Sequence, residues 1–259
     1  MKHSQTTKPK NLINYGDFFK LGDHYLCCGD CRDIELINKF LKGFKIKLIL
    51  CDVPYGVSLV ENKSDLLKTK IKHKIIVGDE EQSEAKYRQF NKDWLIAIKP
   101  YLERKNAFYI FNSDKMIFAL KQGIEDAGIH FGQLLIWIKS QAVIGRKDYL
   151  PQHELIAYGW YGTHEFLKSK DKSVLFYPKP QANKLHPTMK PISLLRNLIL
   201  NSTRIGDIVY DGFAGSGSTV LACEQTKRKC LTIEIDPDYC QIILDRFEKF
   251  TNIAPKKLN

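Results

Sequence analysis

A chain of 259 residues with 44% hydrophobic side chains can bury a large core, as one α/β domain or two small ones, and is not disordered except at its ends. Lysine and arginine outnumber aspartate and glutamate by 40 to 29, a formal charge of +11 that favours a polyanionic partner, nucleic acid or an acidic membrane surface, without choosing between them. No apolar run is long enough to cross a bilayer and none follows the opening MKHSQTTKPK, which excludes a membrane span and a secretory signal and predicts a soluble, cytoplasmic protein.

Along the chain, short β-prone runs alternate with helix-period segments. Residues 1–14 are expected to be a flexible tail, and residues 15–259 a single domain. A strand at 25–28, a helix at 33–41 and a strand at 47–51 come first. Residues 58–82 are lysine-rich without clear periodicity and read as a mobile loop. A helix at 83–102, a strand at 107–112 and a helix at 114–127 follow, then strands at 133–138 and 154–158. The segment 140–185 mixes basic and aromatic residues and reads as a surface for contact with a partner. The chain finishes with a helix at 191–201, a strand at 207–210, a helix at 218–225, a strand at 230–235 and a helix at 237–250. Pro191 and Pro237 suit a first helical turn, and Asp236 suits a cap. The alternation predicts an α/β fold, a doubly wound, mostly parallel sheet of seven strands with helices on both faces. Seven cysteines, an odd number without zinc spacing, read as small buried residues in a reducing compartment, so no metal site is expected.

Two stretches carry chemistry. GDIVYDGFAGSGSTVLACEQTKRKCLTIEID, residues 206–236, reads strand, glycine-rich turn, helix, strand, acid. Glycines at such a turn let the backbone approach a ligand closely. Glu234, 23 positions after Asp211, stands where a carboxylate binds the two hydroxyls of an adenosine ribose. A dinucleotide fingerprint needs glycine or alanine three residues after Gly217, and Val220 is there instead. Asp211 would repel a pyrophosphate and attract an ammonium. A cofactor with an adenosine end and a cationic amino-acid end fits better, which describes S-adenosyl-L-methionine.

The other stretch, LILCDVPYG at 48–56, is an apolar strand that ends in an acid, a proline and a tyrosine. An exocyclic amine on a nucleobase is a poor nucleophile because its lone pair is delocalised into the ring. Two acceptors aimed at its hydrogens, Asp52 and the carbonyl of Val53, would favour a pyramidal nitrogen. Pro54 sets the turn and Tyr55 offers a face for a flipped base to stack on. If both strands share one sheet, the two stretches meet beyond its carboxyl edge.

These stretches resemble the amino-methylating DNA methyltransferases, in the permuted β-type group whose catalytic motif precedes the cofactor motif. Asp52, Val53, Pro54 and Tyr55 match the family's Asp-Pro-Pro-Tyr with one departure, Val53, which keeps the carbonyl and loses proline's rigidity. Asp211, Phe213, Gly215 and Gly217 match Asp-x-Phe-x-Gly-x-Gly in full. His186, Pro187, Thr188, Lys190 and Pro191 match a His-Pro-Thr-x-Lys-Pro element that borders the methionine end of the cofactor. LCCGDCRD resembles the element whose acid contacts the adenine, which assigns Asp30 with Cys31 beside it, and IWIKS and HELIAYG resemble further elements around Trp137, Lys139 and Glu154. The similarity spans roughly residues 20–250.

The resemblance implies a SAM-dependent enzyme that methylates double-stranded DNA on an exocyclic amine, adenine N6 before cytosine N4, because cytosine-directed relatives more often carry serine at the position of Asp52. It implies cofactor contacts from Asp30, Cys31, His186, Thr188, Lys190, Asp211, Phe213, Ala214, Gly215, Gly217, Ser218, Thr219 and Glu234. Lys139, Arg146, Lys147 and Tyr149 are the candidates for DNA contact. A homodimer is compatible with it. The rival readings are a methyltransferase for RNA or a protein glutamine, whose cofactor motif usually comes first, and a catalytically silent nucleic-acid-binding homologue.

Overall fold

The structure is a computed structural model that describes residues 12–56, 81–142, 148–168, 171–178 and 189–259. The predicted loop at 58–82 lies almost wholly outside the described residues, as do parts of 140–185 and most of the N-terminal tail.

One sheet holds β1 (Phe18–Leu21), β2 (His24–Cys28), β3 (Ile46–Asp52), β4 (Leu102–Asn112), β5 (His130–Ile138), β6 (His153–Trp160), β7 (Val174–Phe176), β8 (Ile208–Asp211), β9 (Lys229–Glu234) and β10 (Lys256–Lys257). Their spatial order is β10-β1-β2-β9-β8-β3-β4-β6-β5-β7. The central run β2-β9-β8-β3-β4 is parallel. Antiparallel pairs extend it on both sides, through β1 and β10 at one edge and β6 and β5 at the other, while β7 joins β5 in parallel.

All seven predicted strands are present, but among the described residues the sheet has ten rather than seven. The three extra strands are two to four residues long. Pairing with partner strands, rather than their own periodicity, makes them strands: β1 folds back on β2, and Lys256 and Lys257 lie against Lys20 and Phe19.

Among the described residues the helices are α1 (Ile34–Phe40), α2 (Glu84–Ile98), α3 (Ile117–Asp126), α4 (Ile192–Ser202), α5 (Ser218–Thr226) and α6 (Pro237–Thr251). Helices α1, α2 and α3 bury Ile37, Trp94 and Leu120 on one face of the sheet, and α4, α5 and α6 bury Leu198, Val220 and Phe247 on the other. Strand β3 feeds both faces, Ile49 and Cys51 to the first and Leu48 and Leu50 to the second. That is why its sequence reads as a continuous apolar run.

The helix ends follow from local chemistry. Asp33, Ser83 and Asp236 cap α1, α2 and α6 by accepting from the N–H of Leu36, Lys86 and Asp238. Pro237 sits in the first turn of α6, whereas Pro191 stands one residue outside α4, at its cap. The helix predicted over 83–102 stops at Ile98, because Pro100 lacks an N–H and a short 3-10 turn at Lys99–Tyr101 leads into β4.

Candidate active site

Strands β3 and β8 are neighbours, with Leu48 opposite Val209 and Ile49 opposite Tyr210. From β3 the chain goes on to β4 on one side, and from β8 through α5 to β9 on the other. The strand order therefore reverses between β3 and β8, and doubly wound sheets take their ligands in the crevice outside the carboxyl ends of the strands at such a point. Asp52 is the last residue of β3 and Asp211 the last of β8. The backbone beyond β8 is tied to β3 directly, since Gly212 N–H donates to Cys51 Sγ at 3.3 Å.

On the β8–β9 wall, Asp211 is buried and its Oδ1 accepts from Phe213 N–H at 3.0 Å. Burial raises its carboxyl to about 6 against the hydrogen bonds from Thr219 and Phe213, and the charge of Asp52 across the crevice acts in the same direction as burial. Glu234 ends β9, where Oε2 accepts from Gly215 N–H at 2.7 Å and Oε1 from Asp236 N–H at 2.9 Å. Burial lifts it to about 7. The turn between them needs glycine at two points, with Gly215 at φ 52° and Gly217 at φ 79°. A side chain at Gly217 would also come within 3.1 Å of Ile243. Ala214, Ser218 and Thr219 are buried in the loop and the first turn of α5, and Phe213 packs edge-on against Trp94.

Strand β2 lies beside β9 with Cys28 opposite Glu234. Asp30 therefore follows at the same rim, its carboxylate held by Arg32 at 2.6 Å, and Cys31 is buried next to it. These groups suit a nucleoside joined to a cation: a carboxylate for vicinal hydroxyls, a second for positive charge, and glycine backbone that admits close approach. An observation independent of the motifs agrees. The buried Tyr210 hydroxyl has no hydrogen-bond partner among the described residues, and it lies at 3.0 Å from where a side chain at Gly212 would begin.

The β3–β6 wall is built from charged side chains. Asp52 is 24% exposed and Val53 is buried, and no described residue hydrogen-bonds the Val53 carbonyl. The Tyr55 hydroxyl stands 3.1 Å from Asp52 Oδ1 and 3.0 Å from Glu154 Oε2, one proton between two carboxylates. Lys190 Nζ reaches Asp52 Oδ2 at 2.6 Å, Glu154 Oε2 at 3.1 Å and the Tyr55 hydroxyl at 3.3 Å. Lys139 Nζ takes the other Glu154 oxygen at 2.8 Å. Burial pushes Asp52 above the ordinary carboxyl range although Lys190 pulls it down. For Glu154 the two lysines outweigh burial and hold the carboxyl down at about 2.

Asp52, Tyr55, Asp211, Gly215, Gly217 and Glu234 thus lie around one crevice. Lys190, expected on the cofactor side, gives its ammonium to Asp52, and Lys139, expected at the DNA, is buried against Glu154. Tyr149 is exposed, while Arg146, Lys147, His186 and Thr188 lie outside the described residues. The sequence places Glu154 in a further family element without giving it a role at the site. Its signal is an acid in an otherwise apolar strand, HELIAYGW, one strand away from the lysine that ends IWIK.

A family model described as DNA methylase matches residues 46–245. The chain is 26% identical over 248 residues to the type II methyltransferase M.HpaI of Haemophilus parainfluenzae, spanning 86% of this chain and 74% of that one. Among solved structures it resembles the M1.HpyAVI–SAM complex, with a TM-score of 0.63 and 23% identity over 85% of this chain and 98% of that one. It also resembles the cytosine-N4-specific PvuII DNA methyltransferase, with a TM-score of 0.68 and 18% identity over 92% of this chain and 94% of that one. The family match begins at the first residue of β3 and runs into α6, taking in both walls of the crevice, and on that ground the chain belongs to the DNA methylase family of N6 and N4 amino methyltransferases.

Proposed function

We propose that this chain methylates the exocyclic amine of a base flipped out of double-stranded DNA, adenine N6 in preference to cytosine N4, with S-adenosyl-L-methionine as donor. The observation that supports the reading is the adjacency of β3 and β8, which end in Asp52 and Asp211. Asp52 at the leading position of the turn supports adenine.

When bound, S-adenosyl-L-methionine supplies a methyl group on a positively charged sulfur. Asp211 would meet that charge, Glu234 would take the ribose hydroxyls and Asp30 the adenine, with Cys31, Phe213, Ala214, Gly215, Gly217, Ser218 and Thr219 lining the site. His186 and Thr188 belong to the methionine end. Asp52 and the Val53 carbonyl accept the two amine hydrogens and hold the nitrogen pyramidal, its lone pair turned toward the methyl donor. Tyr55 stacks on the base, so positioning carries most of the rate. As the nitrogen gains its methyl it must lose a proton, and Asp52, whose proton affinity burial has already raised, is the base within reach. Arg146, Lys147 and Tyr149 serve DNA, with the 140–185 segment as the target-recognition region of a single domain.

The test is labelled S-adenosyl-L-methionine incubated with DNA, RNA and protein in parallel, followed by sequencing of modified bases in DNA from cells that express the chain. Label is expected in DNA, at adenine. Label in cytosine N4 would replace the adenine assignment, and label confined to RNA or protein would overturn the reading.

A further inference from the structure

Lys190 stands where the target amine has to donate. Its ammonium carries three protons and meets three acceptors: Asp52 Oδ2, Glu154 Oε2 and the Tyr55 hydroxyl, at 2.6, 3.1 and 3.3 Å. Its side chain is 5% exposed, so it cannot retreat into water when a base enters. A buried ammonium gives up one carboxylate only if another remains.

We propose that Glu154 is a positioning residue that takes over Lys190 and thereby frees Asp52 for the amine. The inference rests on the functional reading above. Before the base arrives, Lys190 holds Asp52 ionised and oriented, as the amine will later hold it. As the base docks, the amine replaces the ammonium on Asp52, and Lys190 stays on Glu154 Oε2 without leaving the protein interior. Lys139, on the opposite oxygen at 2.8 Å, keeps Glu154 ionised for that task. The charges agree with this role: Asp52 and Glu154 balance Lys139 and Lys190, so the cluster is neutral while every member is ionised. Glu154 is also placed to hold the Tyr55 hydroxyl at 3.0 Å while Asp52 changes partners.

The test compares Glu154→Gln with the double variant Glu154→Gln/Lys190→Met in single-turnover methyl transfer at saturating cofactor and DNA. Glutamine keeps an acceptor for Tyr55 but removes the charge, so Lys190 is pinned on Asp52. Transfer is expected to fall roughly 100-fold, with the dissociation constant for S-adenosyl-L-methionine and the KM for DNA each within about threefold of wild type. Removing the pinned lysine as well leaves Asp52 and Lys139 as a balanced pair. The double variant is expected to transfer at least about tenfold faster than the single one and to regain its lost melting temperature. A glutamate that only balanced charge would let the double variant regain melting temperature without any gain in transfer rate over the single variant.

A single variant as fast as wild type, or a double variant no faster than the single one, overturns the inference while leaving methyl transfer by the wild type intact. If the single variant does not fold, the charge-balanced double variant decides alone. Transfer within about tenfold of wild type supports the inference, and slower transfer overturns it. A wild type that methylates no nucleic acid overturns the functional reading and this inference with it.

Discussion

On the β8–β9 wall of the crevice, Asp211 and Glu234 are held by backbone N–H groups drawn from residues 213–236. On the β3–β6 wall, Asp52 and Glu154 are held by ammonium groups of Lys139 and Lys190, from segments as much as 138 residues away from the acid they meet. The first wall is preorganised by the fold of one βαβ unit. Its donors cannot rotate away, and its carboxylates, with no cation among the described contacts, are pushed up by burial. The second wall depends on the ends of three strands, β3, β5 and β6, and a helix start arriving together. Its donors are long side chains that can change partners, which suits a place where a substrate amine must enter.

The sharpest way to separate the two walls is Asp52→Ala. Methyl transfer is expected to fall by at least roughly 1000-fold while cofactor affinity stays within a few-fold, because the acceptor is lost and the cradle is untouched. Equilibrium cofactor binding beside single-turnover rates measures both, and retained transfer removes Asp52 from the mechanism.

Glu234→Gln should do the reverse. Losing a charged acceptor for hydroxyl groups is expected to weaken cofactor binding roughly 10- to 100-fold, with transfer at saturating cofactor little changed. An unaltered dissociation constant would take Glu234 out of the cradle.

A smaller effect comes from pH. Asp211 near 6 and Glu234 near 7 are both raised by burial, so their protonated forms prevail at acid pH and neither then offers a full acceptor. Cofactor affinity is expected to rise several-fold from about pH 5.5 to pH 8. For the same raised values the linkage runs the other way for the cofactor-free fold: its stability falls as pH climbs from the ordinary carboxyl value of 4.5 through about 7 for Glu234. Titration calorimetry and melting curves across that window test both signs, and a flat affinity profile would contradict the assignment.

The smallest expected effect is at Val53→Pro. The carbonyl stays and the turn stiffens, so turnover should be equal or up to a few-fold higher. A large fall would mean that the buried valine is itself required.

The seven central strands, the glycine turn and the acid–proline–tyrosine turn were legible because each is written locally. An apolar run too short for a helix, glycines at positive φ and a proline after an acid need no distant partner to be recognised. The short outer strands β1, β7 and β10 were not, since two to four residues acquire strand character only from what they pair with. Lys190 was legible as part of a six-residue motif, but not as the partner of Asp52.

From its own residues the chain determined which chemical groups it carries and which local turns present them: a carboxylate and phenol after one strand, glycines and an acid around another. Tertiary structure alone decided that β3 and β8 are neighbours and that Lys139 and Lys190 converge on Glu154, with Lys190 also on Asp52. Local torsional and periodic preferences are properties of short segments, whereas an ion pair forms only where the order of strands in the sheet brings charges within reach and burial denies them water.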